Sequence, residues 1–562
     1  MFHHRMSAPT AASSYCMGSA EQAEIEGLLR RVRSAEDNLA DEFEALLVRY
    51  PDSPGVMGHA AWNQARRGNH TRALELYDRI LAAHPRMTEA RWRRGDRLVN
   101  LGRLDEALAA YRDAQAADPD CEDARMRVRY VLHLQRSGGT PAPVALAASP
   151  PPTERQRANE ELNRAEYAAG RLRLRSLPTA LQLESTTKCN FACLTCSKGY
   201  DPYYAEDLNA SVLEVVRRDL MPVNTHLSIT GFGEPTLAGN FDEILEMGLR
   251  NGSVVQFVTN LSLLDFGRLE RLTAHPVEII ISIDGATPGT FDTVRAGGSL
   301  SLTLEKLAMI RKLRDIRLSH FLSHFSFHFV ALRRNVHELP DVVRLAHRYG
   351  IEHVGVLDYI DNGNEFDRES LRHDPALAAH WYAEARRVAA ALGVPLRLPP
   401  EHEAPAAASS GGDAPRRRWR LFSAPGRIPA KCWSPWREPY IDTSGMVRPC
   451  CMSVHALGHL SRAPFERIWN GWRYRLLRLR IHSPLPPVYC RSCSHPFGIN
   501  AGNAPAAMAR EGLLVKAWYF LEWRAIGLAQ RVARLIRRPP PPPAPNYFRG
   551  KPMKPGAPTA RP

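Results

Sequence analysis

The N-terminal sequence lacks the apolar segment that directs secretion. Its first residues, MFHHRMSAPTAASSYCMG, hold no such run, so Cys16 is a poor candidate for a lipoprotein cysteine. The C-terminal basic segment also lacks a long apolar run, because its longest, residues 517–521, is too short to span a bilayer. We therefore expect a cytoplasmic protein.

Nothing in the composition marks the chain as disordered or fibrous, because 44% of its 562 residues are hydrophobic and 24% are charged. This length is too great for one compact core and indicates roughly three to four modules. Arginine pairs spread much of the formal net charge of +15 along the chain, and a net charge favours only non-specific attraction. We therefore expect no nucleic-acid partner.

The cysteines are few but clustered. Eight of the ten fall into two groups, which are Cys189, Cys193 and Cys196, and then Cys432, Cys450, Cys451, Cys490 and Cys493. A disulfide framework is typical of short secreted chains, whereas this chain is long and has no secretory signal. The clustering therefore indicates metal sites.

An internal repeat occupies the N-terminal region. Pro51, Pro85 and Pro119 are spaced by 34 residues, which is the tetratricopeptide period. With that offset four further pairs align, which are Ala61 with Gly95, Gly68 with Gly102, Ala73 with Ala107, and Tyr77 with Tyr111. These residues resemble a tetratricopeptide (TPR) domain, and two unrelated helical hairpins are the alternative.

Two stretches rich in proline, alanine and glycine, residues 137–153 and 399–418, read as linkers. Between them, short runs rich in Val, Ile and Phe alternate with longer helical patterns, which predicts a parallel sheet with crossover helices. The predicted strands are 181–185, 226–230, 254–259, 278–284, 325–331 and 353–358. Six such units form an incomplete barrel, whose chemistry collects at the carboxyl ends of its strands.

A loop directly after the first predicted strand carries Cys189, Cys193 and Cys196 in a C-x3-C-x2-C arrangement. Three thiolates leave one iron of a 4Fe-4S cluster open to another ligand, whereas a closed zinc site needs a fourth ligand nearby. The loop resembles that of the radical S-adenosylmethionine (SAM) superfamily, although Thr195 stands where the family usually has an aromatic residue. The resemblance implies that SAM binds the open iron and is reductively cleaved to a 5′-deoxyadenosyl radical.

Further elements of that resemblance follow the later strands. The sequence Gly231-Phe232-Gly233-Glu234-Pro235 is similar to the family's glycine-rich motif, in which backbone carbonyls or Glu234 accept from the SAM ammonium. The other SAM-binding residues that the resemblance implies are Thr259, Asn260, Ser282, Asp284, Arg295 and Leu357. Ser282 and Arg295 would face the ribose and the methionyl carboxylate. Asp284-Gly285 alone would read as a turn.

The second cysteine group resembles the SPASM and twitch domains that follow radical SAM barrels. The resemblance rests on the spacing C-x12-G-x4-C, which begins at Cys432, and on the later C-x2-C pair. It implies that Cys432, Cys450, Cys490 and Cys493 hold a second, auxiliary 4Fe-4S cluster and that Cys451 is spare. A four-cysteine zinc site is the alternative. A hairpin turning near Ser444-Gly445 is predicted to place Cys432 and Cys450 on neighbouring strands.

These patterns predict an α/β fold, in which a partial (β/α)6 TIM-like barrel of the radical SAM type follows an all-α TPR solenoid and precedes a small α+β iron-sulfur domain. The expected boundaries are a disordered N-terminus 1–19, repeats 20–136, linker 137–153, barrel 154–398, linker 399–418, iron-sulfur domain 419–504, basic amphipathic helix 505–538 and disordered proline-rich tail 539–562.

The basic amphipathic helix is clearest over residues 512–538. Its apolar residues, spaced by four and three, are Leu514, Trp518, Leu521, Ala525, Leu528, Val532 and Leu535. Its flanking basic residues include Lys516, Arg524, Arg531, Arg534, Arg537 and Arg538. Such a helix docks on the protein or lies on an anionic membrane surface.

The resemblance implies an oxidoreductase-like enzyme supplied with electrons by a donor such as flavodoxin or ferredoxin. The repeats favour a peptide or protein substrate, whose side chain is oxidised or cross-linked. Dehydrogenation or rearrangement of a small polar molecule, such as a sugar or aminocyclitol, is the alternative, and a non-catalytic scaffold is a remote one. The general base is open among His324, His328, Asp358 and Tyr359, and we favour Asp358 because it ends a strand.

Overall fold

The computed structural model describes residues 22–28, 40–138, 150–196, 205–318, 321–359, 365–399, 432–451, 453, 455–483, 486–487 and 490. Cys493, most of both predicted linkers, the basic helix 512–538 and the proline-rich tail lie outside these residues. Within the described part of the chain, no helix is long and apolar enough to cross a membrane.

The N-terminal region consists of paired antiparallel helices. Their bounds are 22–28 (α1), Ala40–Arg49 (α2), Pro54–Arg66 (α3), His70–Ala83 (α4), Thr88–Asn100 (α5), Leu104–Ala117 (α6) and Glu122–Arg136 (α7). Gly68 and Gly102 follow α3 and α5 at equivalent positions, and both have positive φ angles, 84° and 74°. A Cβ atom on Gly95 would lie 2.3 Å from the ring of Tyr111, so this glycine allows α5 and α6 to approach closely. The predicted repeat alignment therefore matches the helices observed.

The barrel is a run of parallel strands with helices between them. Its strands are Ala180–Leu183 (β1), His226–Ile229 (β2), Val254–Thr259 (β3), Val277–Ser282 (β4), His324–Ala331 (β5), His353–Asp358 (β6) and Leu396–Arg397 (β7). Its helices are Glu154–Ala168 (α8), Ala210–Val215 (α9), Phe241–Arg250 (α10), Phe266–Thr273 (α11), Pro288–Val294 (α12), Leu300–Arg317 (α13), Leu339–Tyr349 (α14) and Pro375–Leu392 (α15). The six predicted strands are present with ends shifted by at most two residues. The two-residue strand β7 was not predicted.

The C-terminal described region continues the same sheet. Its strands are Tyr440–Ile441 (β8), Met446–Arg448 (β9) and Gly458–His459 (β10), and its helices are Ser434–Arg437 (α16), Phe465–Trp469 (α17) and Trp472–Arg480 (α18). Strand β8 pairs in parallel with β1, so the sheet order is β10-β9-β8-β1-β2-β3-β4-β5-β6-β7. The predicted hairpin is confirmed, because β8 and β9 are antiparallel and Gly445 between them has a φ of 92°. Cys432, however, precedes α16 and does not lie on a strand of this hairpin, so that part of the prediction is wrong.

The helical repeats pack directly on the barrel. Arg97 and Asn100 of α5 donate to the carbonyl of Ile316 in α13, at 3.1 and 2.6 Å. Tyr130 of α7 donates to the buried carboxylate of Glu270 in α11 at 2.6 Å. The faces of α5 and α7 that meet the barrel are therefore occupied by this chain and are closed to another ligand.

Candidate active site

The three-cysteine loop lies at the carboxyl end of β1, and all three of its thiols are half-buried. Its backbone N–H groups donate to the end of α12 and to the segment after it, from Ala192 N to Ala296 O at 2.7 Å and from Leu194 N to Val294 O at 2.9 Å. The loop is therefore fixed by backbone bonds on one side as well as by its connection to β1.

Two glycines that the sequence reasoning did not single out shape this loop. A Cβ atom on Gly298 would lie 2.6 Å from the ring of Phe191, which sits between Cys189 and Cys193. Gly297 has a φ of 91° and faces the backbone of Asn190. A glycine pair two residues after Arg295 was the signal in the sequence that could have identified them.

Burial and nearby ionisable groups shift the pKa of the Cys193 thiol. Burial raises its pKa to about 11, the guanidinium of Arg295 opposes that shift, and the nearby thiols of Cys196 and Cys189 add to it. Cluster iron binds cysteine as the thiolate, so a bound cluster would reverse this preference for the neutral thiol. Three thiols on one loop provide the ligands that a 4Fe-4S cluster with one open iron needs.

No group of three or more His, Cys, Asp or Glu residues within the described ranges is arranged to hold a single metal ion.

The glycine-rich loop after β2 lies against the start of the cysteine loop. A Cβ atom on Gly233 would lie 2.3 Å from the carbonyl oxygen of Thr186, and one on Gly231 would lie 2.5 Å from the side chain of Glu184. The backbone N–H of Glu234 donates to the carbonyl of Lys188 at 2.7 Å. Both glycines are therefore required for the close approach of this loop to the end of β1.

Glu234 is only 2% exposed, and both of its carboxylate oxygens accept hydrogen bonds from the protein. Oε1 accepts from the hydroxyls of Thr236 at 2.6 Å and Thr259 at 2.8 Å, and Oε2 accepts from Asn260 N at 2.7 Å. The carboxylate thus joins the ends of β2 and β3. This favours backbone carbonyls over Glu234 as the acceptors for the SAM ammonium, and that contact stays a prediction.

Asn260 connects the end of β3 to the cysteine loop. Its amide donates to Asn190 Oδ1 at 2.9 Å, and Asn190 donates to Ser262 Oγ at 2.9 Å. Ser262 closes the triangle by donating back to Asn260 Oδ1 at 2.7 Å. Asn190 was not among the predicted site residues, although it directly follows Cys189.

Arg295 is engaged by the protein on two sides. Its Nε lies 2.8 Å from Oδ2 of Asp284, which is fully buried, and its Nη1 lies 3.8 Å from Cys193 Sγ. The other oxygen of Asp284 accepts from Val330 N at 2.7 Å. Asp284 is therefore a fixed anchor for the arginine rather than a simple turn residue. A bond from Arg295 to the methionyl carboxylate would have to come from its remaining N–H donors and stays a prediction.

Strand alternation separates the residues that face the barrel interior from those that face the helices. The ring of Phe257 meets Phe241 of α10, and the pairing register places Phe329 and Val356 on the same outer face. Asp358, two residues beyond Val356, shares that outer face. Its position opposes our choice of Asp358 as general base, because a base must face the interior.

Two rows of the interior face are mostly polar, and the row between them contains Val258, Ile280 and Ser326. One row across neighbouring strands contains Ser282, His328, Gly355 and Arg397, and a deeper one contains Tyr440, Gln182, Ser228, Gln256, Glu278 and His324. A Cβ atom on Gly355 would lie 3.2 Å from the His328 ring, so the glycine leaves room for the imidazole. Burial lowers the pKa of His328 to about 4, so the imidazole is neutral near pH 7 but is a weak base in this environment. Leu357, one of the SAM-binding residues that the resemblance implies, also lies on the interior face.

Three of the predicted auxiliary ligands are described, and each is half-buried. Cys432 precedes α16, Cys450 follows β9, and Cys490 packs against the main hydrophobic core. Cys451, predicted to be spare, is half-buried beside Cys450. Cys493 lies outside the described residues, so the four-cysteine set stays a prediction.

Two family profiles match the chain. Residues 432–494 match SPASM, described as an iron-sulfur cluster-binding domain, and residues 59–120 match a tetratricopeptide repeat. Both agree with the regions expected from the sequence.

Similar proteins include two curated relatives. Mycofactocin maturase MftC of Mycobacterium ulcerans (strain Agy99) is 29% identical over 174 residues, or 31% of this chain and 45% of that protein. A tungsten-containing aldehyde ferredoxin oxidoreductase cofactor-modifying protein of Pyrococcus furiosus is 25% identical over 175 residues, or 31% of this chain and 49% of that protein. The matched segment thus spans about half the length of these relatives.

Among solved structures, Streptococcus suis SuiB bound to precursor peptide SuiA is 14% identical. It aligns with a TM-score of 0.44 over 69% of this chain and 87% of that chain. The two family matches and the two curated relatives support the architecture that the sequence indicated, in which TPR repeats precede a partial barrel with a three-cysteine loop and a SPASM domain.

Proposed function

We propose that this chain is a radical SAM enzyme that removes a hydrogen atom from a peptide or protein substrate and oxidises or cross-links the side chain. The observation that carries the proposal is the three-cysteine loop at the end of β1, in contact with the glycine-rich loop after β2. The similarity to proteins named as maturases supports a peptide over a small molecule.

Different residues of the chain would bind the cluster, orient SAM and hold the cysteine loop in place. Cys189, Cys193 and Cys196 would hold a 4Fe-4S cluster, which together with SAM supplies the radical that abstracts hydrogen. Backbone carbonyls of the glycine-rich loop and Ser282 would orient SAM. Arg295, held by Asp284, would fix the position of Cys193.

The polar interior supports a polar group at the reacting centre. Gln256 donates to Ser228 at 2.9 Å across two neighbouring strands, in an interior row that also contains Gln182 and Glu278. His328 replaces Asp358 as our candidate to accept a substrate proton because it faces the interior beside Ser282, and its lowered pKa requires that the bound substrate strengthen it as a base. An oxidation needs such an acceptor once hydrogen and an electron have been removed.

Recruitment of a peptide by the repeats would use the side of α4 and α6 rather than the docked faces of α5 and α7. A surface groove of about 780 Å³ lies there, lined by residues that include Leu81, Arg91, Ala109 and Asp113. Its mixed apolar and charged lining suits a peptide better than a sugar.

The polar interior equally suits dehydrogenation of a small polar molecule such as a sugar or aminocyclitol, which is the second candidate function.

The two candidate functions differ in which substrate stimulates SAM cleavage. Reduced, reconstituted protein is incubated with SAM and either a peptide encoded beside its gene or a panel of sugars and aminocyclitols. We expect the peptide to stimulate 5′-deoxyadenosine formation and to change in mass. Stimulation by the small molecules alone would refute the peptide proposal.

The number of clusters is tested separately. Two 4Fe-4S clusters require about eight irons per chain after anaerobic reconstitution. A content of about four irons would refute the auxiliary cluster, and tightly bound zinc in its place would support a structural metal site.

A further inference from the structure

Helix α18 presents two different faces. On its inner face, Arg478 donates to the carbonyl oxygens of Pro435, Leu172 and Trp469 at 2.9 to 3.0 Å. The same guanidinium lies 4.5 Å from the ring centre of Trp469. The inner face is therefore firmly attached to the domain.

The outer face of α18 is apolar and basic. Trp472, Leu476 and Leu479 follow the spacing of one helix face, and they are 64%, 43% and 58% exposed. Arg473 and Arg475 beside them are exposed, and the helix sequence WRYRLLRLR contains no acidic residue. An exposed Trp-Leu-Leu face with flanking arginines is the composition expected of a protein interface with an acidic partner.

Helix α18 and the residue that follows it are hydrogen-bonded to the two segments that carry Cys432 and Cys450. His482, just beyond α18, lies with Nε2 2.9 Å from the carbonyl oxygen of Cys432. The hydroxyl of Tyr474 donates to the carbonyl of Arg448, two residues before Cys450, at 3.4 Å. A protein bound to the outer face would be separated from these segments by about one helix diameter, ~10 Å.

We propose that the outer face of α18 is the docking surface for an acidic electron-carrier protein of the flavodoxin or ferredoxin class. The inference rests on the proposed function, because it assumes an iron-sulfur centre beside α18. One electron would pass from the reduced carrier to that centre and onward to a cluster held by the three-cysteine loop. The carrier is thereby oxidised, the centre beside α18 returns to its starting state and the cluster that cleaves SAM is reduced by one electron, and no bond is made or broken in the transfer. Complementary charge steers such encounters and makes them sensitive to salt.

The sequence argues against the segment 512–538 as the occupant of this face. Its flanking residues, which include Lys516, Arg524 and Arg531, have the same sign of charge as Arg473 and Arg475. Like charges brought together at an interface weaken it. The acidic carrier has the opposite sign and is the occupant to which we commit.

The test compares two charge-reversed variants of the full-length, reconstituted enzyme. One carries Arg473→Glu with Arg475→Glu on α18, and the matched control carries Arg386→Glu with Arg387→Glu on the exposed face of α15. Binding of an acidic flavodoxin is measured by surface plasmon resonance at two salt concentrations. We expect at least tenfold weaker binding for the α18 variant, unchanged binding for the control, and a loss of affinity at high salt for the wild type.

Dithionite separates this proposal from the proposed function. With dithionite as reductant the α18 variant is expected to form 5′-deoxyadenosine at the wild-type rate, whereas with reduced flavodoxin its rate falls at least tenfold. Equal flavodoxin binding by both variants would overturn the docking surface while leaving the enzyme assignment intact. Absence of 5′-deoxyadenosine from the wild type with dithionite would overturn the proposed function instead.

A photocrosslinking amino acid at position 476 identifies the occupant directly. Crosslinks to the flavodoxin in the reconstituted enzyme support the proposal. Crosslinks to residues 512–538, to a second copy of the chain or to anionic vesicles, in place of the flavodoxin, refute it.

Discussion

At the scale of one residue, Glu234 of the glycine-rich motif has a predictable position but hydrogen bonds that the sequence does not give. The sequence identified Glu234 as part of a SAM-binding motif, but its hydrogen bonds from Thr259 and Asn260 come from another segment of the chain and could not be read from spacing. In the structure it is a buried acceptor for donors on two strand ends. Its position was predictable from the sequence, whereas its bonding required the tertiary structure.

Glu234→Gln is therefore expected to destabilise the fold. The amide would place an NH2 group against protein donors and leave one of them unsatisfied, at a cost of about 1–3 kcal/mol. Thermal unfolding of the apoprotein measures this cost. An unfolding temperature equal to that of the wild type would show that the bonds of Glu234 contribute nothing to stability.

Glu438 gives a pH-dependent prediction. Burial raises the pKa of its carboxyl to about 7, from an ordinary value of 4.5. The folded state thus binds more protons than the unfolded state between about pH 4.5 and 7, so the stability contributed by this residue falls as the pH rises through that window. Glu438→Gln should remove the penalty and stabilise the protein at pH 8 by on the order of 1–3 kcal/mol.

Denaturant unfolding of the wild type and Glu438→Gln at pH 5 and pH 8 measures this effect. We expect the difference in unfolding free energy between the two proteins to grow with pH. A difference that is the same at both pH values would contradict the raised pKa.

At the scale of elements, strand positions followed from the sequence because buried runs of Val, Ile and Phe mark parallel strands clearly. β3 and β6 have the predicted ends, whereas β7 was missed because two residues carry too little pattern. The face of Asp358 depends on the pairing register, which the sequence does not give; the register opposes Asp358 as general base, and its role stays a prediction.

The packing of the three-cysteine loop depends on the close contact between Gly298 and Phe191. Gly298→Val should force the Phe191 ring away and displace the loop, because even a Cβ atom at this position would come within 2.6 Å of the ring. We expect the variant to retain fewer irons after reconstitution while its secondary structure, measured by circular dichroism, is unchanged. Gly289→Val is the matched control, since nothing lies within 4 Å of a Cβ atom there. Equal iron retention by both variants would refute this role of Gly298.

At the scale of the whole molecule, the docking of the repeats on the barrel was not predictable. The contacts join residues far apart in sequence, such as Arg97 with Ile316, and they involve polar side chains that a pattern search treats as surface. The sequence indicated a separate helical module before the barrel. The structure instead shows a module bonded to α11 and α13.

We therefore expect the repeats and the barrel to unfold together in a single calorimetric transition. Tyr130→Phe should lower the unfolding temperature of that whole transition, because it removes a buried donor to Glu270 and costs about 1–3 kcal/mol. Two separate transitions in the wild type would contradict this account. For the same reason, deletion of residues 1–136 is expected to damage the barrel and is a poor test of peptide recruitment.

The central claim is that the three-cysteine loop generates a radical from SAM. The most direct measurement is 5′-deoxyadenosine formation by reduced, reconstituted Cys196→Ala, compared with Cys451→Ala, which removes the cysteine predicted to be spare. We predict that Cys451→Ala forms the product like the wild type and that Cys196→Ala forms none. Persistence of 5′-deoxyadenosine in Cys196→Ala would contradict the assignment of this loop.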